Sequence, residues 1–230
     1  MIVVENLLKK YGDIVALNRV SMEFRDGEVT AVLGENGAGK TTLLKICANV
    51  IPFDEGSVKI DGIDIRGDSI EARKITGYLP EMPYLYERLT GREFLQFISS
   101  IREIPNAEKR MDELSKRLGI ADFLDYEIGT YSKGMKQKIS IMAAILHSPK
   151  NLLLDEPVYG LDPLTSKALQ DFIKNRSGTT VIATHSTELV EKIADTVYIM
   201  KRGEVIHTGS LKEIMDEYGS VRDAYFSVLG

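Results

Sequence analysis

Between a run of β-branched residues and an amphipathic helical pattern stands Gly34-Glu35-Asn36-Gly37-Ala38-Gly39-Lys40-Thr41, and this octet constrains the fold more than any other segment. It has the form GxxxxGK[ST]. Its glycines let successive backbone N–H groups turn inward around a polyphosphate, and the helix that follows aims its positive end at the same charge. Lys40 is placed to reach the β- and γ-phosphates, and the Thr41 hydroxyl to ligate magnesium. The expected nucleotide contacts are therefore Asn36, Gly37, Ala38, Gly39, Lys40, Thr41 and Thr42. A Gly-rich turn that only caps a helix is the alternative. From residue frequencies such a match arises by chance in roughly 1 of 100 chains of this length, and the strand–helix setting lowers that further. The octet implies a nucleoside triphosphate with Mg2+, and leaves open what the energy is used for.

Such a loop needs a parallel sheet behind it, and the pattern supplies one. Short β-branched runs at Val29–Leu33, Ile75–Leu79, Leu152–Asp155, Val181–Thr184 and Val197–Met200 alternate with helical segments, the mark of an α/β core. Ile2–Leu7, Val20–Phe24 and Val58–Ile60 alternate apolar and charged residues, which reads as an antiparallel β part with one wet face. The middle of the chain changes character. Thr90-Gly91-Arg92-Glu93 is a capping box for a helix to about Ile101, and Asn106 starts another to about Leu118. The expectation is one domain, with residues 1–80 and 149–230 as the α/β core and residues 81–148 as an inserted α-helical subdomain.

Asn151-Leu152-Leu153-Leu154-Asp155-Glu156 is an apolar strand ending in two carboxylates. Alone, an acidic strand end is a solvated surface feature. In a parallel sheet the carboxyl ends of the strands form the edge where the phosphate loop also lies. Asp155 is then positioned to hold magnesium through water, and Glu156 to polarise the attacking water.

Tyr131-Ser132-Lys133-Gly134-Met135-Lys136-Gln137-Lys138 separates the phosphate-loop families. Ser132 reads as an N-cap, with Gly134 beside it for close backbone approach. The segment resembles the signature of the ABC family, LSGGQ, and sits between the phosphate loop and the acidic strand as that family requires. The resemblance covers almost the whole chain. It implies a P-loop NTPase core with a parallel sheet, an N-terminal antiparallel β subdomain and an inserted α-helical subdomain. It also implies that Ser132 and Gly134 grip the γ-phosphate of ATP bound to the opposite subunit. Glu156-Pro157-Val158-Tyr159-Gly160-Leu161-Asp162-Pro163 is similar to the family's catalytic glutamate and the loop after it. His185, after Ala183-Thr184, occupies the place of the γ-phosphate switch histidine, and Tyr11 that of the aromatic stacking on adenine.

Three positions depart from the family pattern. Lys133 and Met135 replace Gly and Gln, adding a cation near the opposite phosphate and removing a polar contact to the ribose. Glu81, in Gly77-Tyr78-Leu79-Pro80-Glu81, stands where the family has a glutamine and is carried over as a magnesium ligand. The YLPE and YSKGM forms, with the tail at 221–230, resemble the exporter-type branch whose permease is a separate chain. The implied function is the ATP-hydrolysing subunit of an ABC transporter, dimerising head to tail with an identical or related subunit around two ATP molecules. The implied place is cytoplasmic, peripheral on the inner face of the cell membrane.

Composition agrees. A chain of 230 residues, 43% apolar and 27% charged, is an ordinary globular one. Its net charge of -5 argues against nucleic acid as a partner. Cys47 is the single cysteine and suits a reducing compartment. The beginning of the chain shows no secretory signal pattern. The longest largely apolar stretch, Ile139–Leu146, falls far short of the roughly 20 residues a membrane helix needs. Two rivals remain: an ABC ATPase without a transport role, which usually carries two nucleotide domains or a long coiled coil, and a P-loop GTPase or kinase. No guanine-reading NKxD occurs for the second.

Overall fold

The computed structural model describes residues 1–67 and 69–229; Asp68, and Gly230 at the end of the 221–230 tail, lie outside the described residues. The chain opens with β1 (Ile2–Tyr11) and β2 (Ile14–Phe24), an antiparallel pair. Apolar side chains such as Ile2, Val4, Leu7, Leu17, Val20 and Phe24 face inward, and the charged residues between them face water except Lys9, which is buried. Next come β3 (Val29–Leu33), α1 (Lys40–Cys47), β4 (Glu55–Ile60), β5 (Ile63–Asp64), α2 (Ser69–Lys74) and β6 (Thr76–Leu79). β4 pairs with β1, completing a four-stranded antiparallel sheet in the order β2-β1-β4-β5.

From β6 the chain turns helical: α3 (Gly91–Ile101), α4 (Ala107–Arg117) and α5 (Lys133–Ile145) precede β7 (Asn151–Asp155), with no sheet strand between. The capping box of α3 forms as expected, with Thr90 accepting from the Glu93 N–H and the Glu93 carboxylate accepting from the Thr90 N–H. Asn106 does stand before α4, but it caps nothing with its side chain. Its backbone is left-handed at φ 53°, a conformation Asn tolerates better than most residues.

The remainder is α6 (Pro163–Lys174), β8 (Thr180–Thr184), α7 (Thr187–Ile193), β9 (Thr196–Lys201), β10 (Glu204–Ser210), α8 (Leu211–Tyr218) and α9 (Val221–Leu229). Strands β3, β7 and β8 are buried along their whole length. They lie inside a six-stranded sheet in the order β10-β9-β3-β8-β7-β6, parallel except for β10. β10 carries no strong strand pattern. It is recruited by the Arg202–Gly203 turn, whose two residues both have positive φ, the geometry of a tight hairpin.

The register of the parallel strands sets the position of everything chemical. Leu33 pairs with Thr184, Asp155 with Ala183, and Leu79 with Leu154. The phosphate octet, Glu81, Asp155-Glu156 and His185 therefore leave the sheet at one edge.

Candidate functional site

That edge holds an open cavity of about 370 Å3. It is lined by Tyr11, Asn36, Gly37, Ala38, Gly39, Lys40, Thr41, Thr42, Glu81, Asp155 and Glu156, all expected from sequence, together with Ile14, Val15 and Ala16. Gly39 permits the last bend of the loop. Its φ is 103°, and a Cβ there would lie 2.6 Å from the Ala16 carbonyl oxygen. The loop cannot be built with an L side chain at that point.

Lys40, the first residue of α1, is buried. Its ammonium donates to the Gly34 carbonyl at 2.7 Å and the Glu35 carbonyl at 3.0 Å, and so arches back over the loop. Burial draws its pKa below the ordinary lysine value, while Glu156, Asp155 and Glu81 pull it back up.

Asp155 is 1% exposed, and neither of its carboxylate oxygens has a hydrogen-bond partner. Burial pushes its pKa up to about 6, helped by the charges of Glu81 and Glu156. The Thr41 hydroxyl and Lys40 oppose the shift, the hydroxyl lying close without completing a hydrogen bond of ordinary geometry. A buried anion with two orphaned oxygens beside a hydroxyl is a donor set short of a cation. It fits magnesium, a hard ion that takes one or two carboxylates and completes its shell with phosphate oxygens and water. Among the described residues no three His, Cys, Asp or Glu side chains gather to hold a metal unaided. Glu81 is exposed on the rim of the same cavity.

Glu156 takes a left-handed backbone at φ 47° just past the end of β7, and its side chain is nine-tenths buried. One oxygen accepts from the Thr184 hydroxyl at 2.9 Å; the other accepts from the His185 N–H at 3.0 Å and meets the His185 Nδ1 at 2.7 Å. A carboxylate can only accept here, so Nδ1 carries the proton in this contact. His185 itself lines no part of the cavity and reaches it through Glu156.

Tyr11 is half exposed at the rim, with the Lys9 ammonium 5.1 Å over its ring. Ile14 and Val15, 70% and 42% exposed, extend an apolar wall from it. Sequence reasoning missed these two. The signal was present: consecutive apolar residues beside Tyr11 on a hairpin whose neighbours are wet. Thr184 was missed as well, although a hydroxyl directly before His185 is a natural partner for Glu156.

Ser132 and Gly134 are not in this cavity. Ser132 caps α5, its hydroxyl accepting from the Met135 N–H at 3.2 Å. Gly134 packs against the loop after Glu156, where a Cβ would stand 2.8 Å from the Gly160 carbonyl oxygen. The missing side chain at 134 thus serves a contact within the chain, which sequence did not show. Lys138 ties the same two segments together through Asp162 at 3.1 Å.

The family model described as ABC transporter matches residues 17–159. The chain is 35% identical over 209 residues to the ABC transporter ATP-binding protein NatA of Bacillus subtilis (strain 168), with 88% of this chain and 85% of that one covered. It is 33% identical over 224 residues to the linearmycin resistance ATP-binding protein LnrL of the same organism, covering 95% and 72%. Among solved structures it matches an ATP-binding subunit of an ABC transporter over 100% of both chains, with TM-score 0.93 and 29% identity. It also matches a dimeric post-hydrolysis state of the ATP-binding cassette MJ0796 bound to ADP and Pi, with TM-score 0.83, 26% identity, and 91% and 98% covered.

Proposed function

We propose that this chain, which belongs to the ABC transporter family as an ATP-binding ATPase, drives a separate membrane permease by closing and opening an ATP-sandwich dimer. The observation that carries the reading is the single sheet edge on which Lys40, Thr41, Asp155 and the Glu156–His185 pair converge. In this reading residues 1–80 and 149–230 form the core and residues 81–148 the helical subdomain.

Asn36 to Thr42 cradle the triphosphate with backbone N–H groups, Lys40 turns from its two carbonyls to the β- and γ-phosphates, and Tyr11 with Ile14 and Val15 receives the base. Thr41 and Asp155 would hold magnesium, with Glu81 on the rim as a further ligand, and the ion would supply neutralisation of phosphate charge. Glu156 orients and polarises the attacking water. His185 keeps that carboxylate in place through Nδ1 and leaves Nε2 for the γ-phosphate side. Ser132 and Gly134 meet the nucleotide of the second ATP-binding subunit, so each ATP is covered from both sides. The similar dimeric cassette bound to ADP and Pi supports this arrangement.

No helix among the described residues is long and apolar enough to cross a membrane. The bilayer is then crossed by the permease, with this subunit peripheral on the inner face. The permease docks beside Glu81, where Met82, Tyr84 and Tyr86 are 63%, 77% and 58% exposed. Export is the direction supported by the YLPE and YSKGM forms and by the likeness to a linearmycin resistance protein.

Glu156→Gln tests the sandwich. It binds ATP, hydrolyses it at least about a hundredfold more slowly, as loss of a general base predicts, and elutes as a dimer from a sizing column with ATP and magnesium. A monomer under those conditions counts against a sandwich of two identical subunits or points to a required heteromeric partner, and a monomer that persists beside that partner overturns the reading.

A further inference from the structure

The first turn of α5 is electrostatically incomplete. It has no acidic residue, although the positive end of a helix favours one. Three lysines stand on its first two turns. Lys136 is paired with Glu87 at 2.6 Å and Lys138 with Asp162 at 3.1 Å. Lys133, at the first helical position, makes no ion pair among the described residues. Its ammonium instead sits 3.9 Å over the ring of Tyr159, three residues after Glu156. Tyr159 is 53% exposed, so this cation–π contact lies open to solvent.

We infer that Lys133 is a phosphate-directed cation held in reserve on the face of Tyr159, and that it leaves the ring for the opposite subunit's nucleotide when the dimer closes. The inference rests on the sandwich reading. Lys133 follows Ser132 directly and precedes Gly134, so any anion that meets α5 end-on comes within reach of a flexible four-carbon stem. A cation–π contact at an exposed site is weak, whereas an ammonium–phosphate contact is charge-assisted and roughly twice as strong as a neutral hydrogen bond. A triphosphate therefore outcompetes the ring. ADP, lacking the γ-phosphate, presents less charge, so the exchange favours closure on ATP. Tyr159 also keeps the stem off the open interface, which makes it a positioning residue whose contact is lost on closure.

The two partners then act in opposite directions. In a Glu156→Gln parent, with ATP and magnesium, dimer dissociation constants are measured by sedimentation velocity. Thermal unfolding confirms that every variant is folded. Lys133→Met, which keeps the length and loses the charge, weakens dimerisation by about 100-fold or more, the equivalent of one charge-assisted bond at each of the two nucleotides. Tyr159→Leu removes the competing ring from both subunits and tightens dimerisation about 5- to 30-fold. Tyr159→Phe keeps the ring and matches the parent. Equal dimerisation by Lys133→Met and parent overturns the inference, as does weaker dimerisation by Tyr159→Leu, which makes the pair a structural brace. A parent that stays monomeric even beside a heteromeric partner overturns the sandwich reading and this inference with it.

Discussion

At pH 7.5 the nucleotide-free protein holds the Asp155 carboxylate as a buried anion with two unbonded oxygens, close to Glu81 and Glu156. Its pKa moves from 3.8 to about 6, roughly 2 units at about 1.4 kcal/mol each, which is about 3 kcal/mol. The folded chain binds this proton more tightly than the unfolded chain. Stability is therefore lost as pH rises between 3.8 and about 6, and the full penalty applies above that window. Asp155→Asn keeps the shape and deletes the charge. The variant should be more stable than wild type at pH 7.5 by as much as about 3 kcal/mol, or roughly 6–12 °C in Tm for a chain of this size. Urea titrations at pH 7.5, 6, 5 and 4 should show the gap shrinking as the wild-type carboxylate protonates. Saturating ATP with magnesium should narrow or reverse it at pH 7.5, because binding stabilises only the protein that retains the ligand oxygens. A variant no more stable than wild type at pH 7.5, or a gap that does not change with pH, refutes the reasoning.

Lys40→Ala should lower ATP affinity at least about 100-fold, since two charge-assisted phosphate contacts of about 1.5 kcal/mol each are lost; isothermal titration of the folded variant reads this, and unchanged affinity removes Lys40 from the site. Glu81→Gln should make ATP affinity less dependent on magnesium, because a rim carboxylate repels the γ-phosphate unless a cation stands between them. ATP titrations with and without magnesium check this, and identical dependence in wild type and variant leaves Glu81 to the permease side.

Much of the site was legible because its logic is local. The octet from Gly34 to Thr41 carries its own turn chemistry, and Gly39 is forced by a backbone angle that only glycine accepts readily. Runs such as Val29–Leu33, apolar but for Thr30, and the fully apolar Leu152–Leu154 read as central strands between helices. A short-range hydrogen-bond pattern likewise betrays the start of α3. These features depend on residues within one turn or one strand of each other, so the order of amino acids alone determines them.

Other features depend on what the sheet brings together, and no local pattern encodes them. β10 exists because β9 offers it an edge and a tight turn reverses the chain, not because Glu204–Ser210 is a strong strand former. The Glu156–His185–Thr184 cluster joins positions 28 and 29 residues apart through the pairing of β7 with β8. Asp155 becomes a strained anion only after neighbouring strands and α1 exclude water from it. Lys133 was readable as an added charge, but its resting place on Tyr159 was not, because a helix start and a strand-end loop meet there only in the packed chain. Residue identity sets what a group can do; burial and long-range register decide which partner it meets and whether its charge is satisfied.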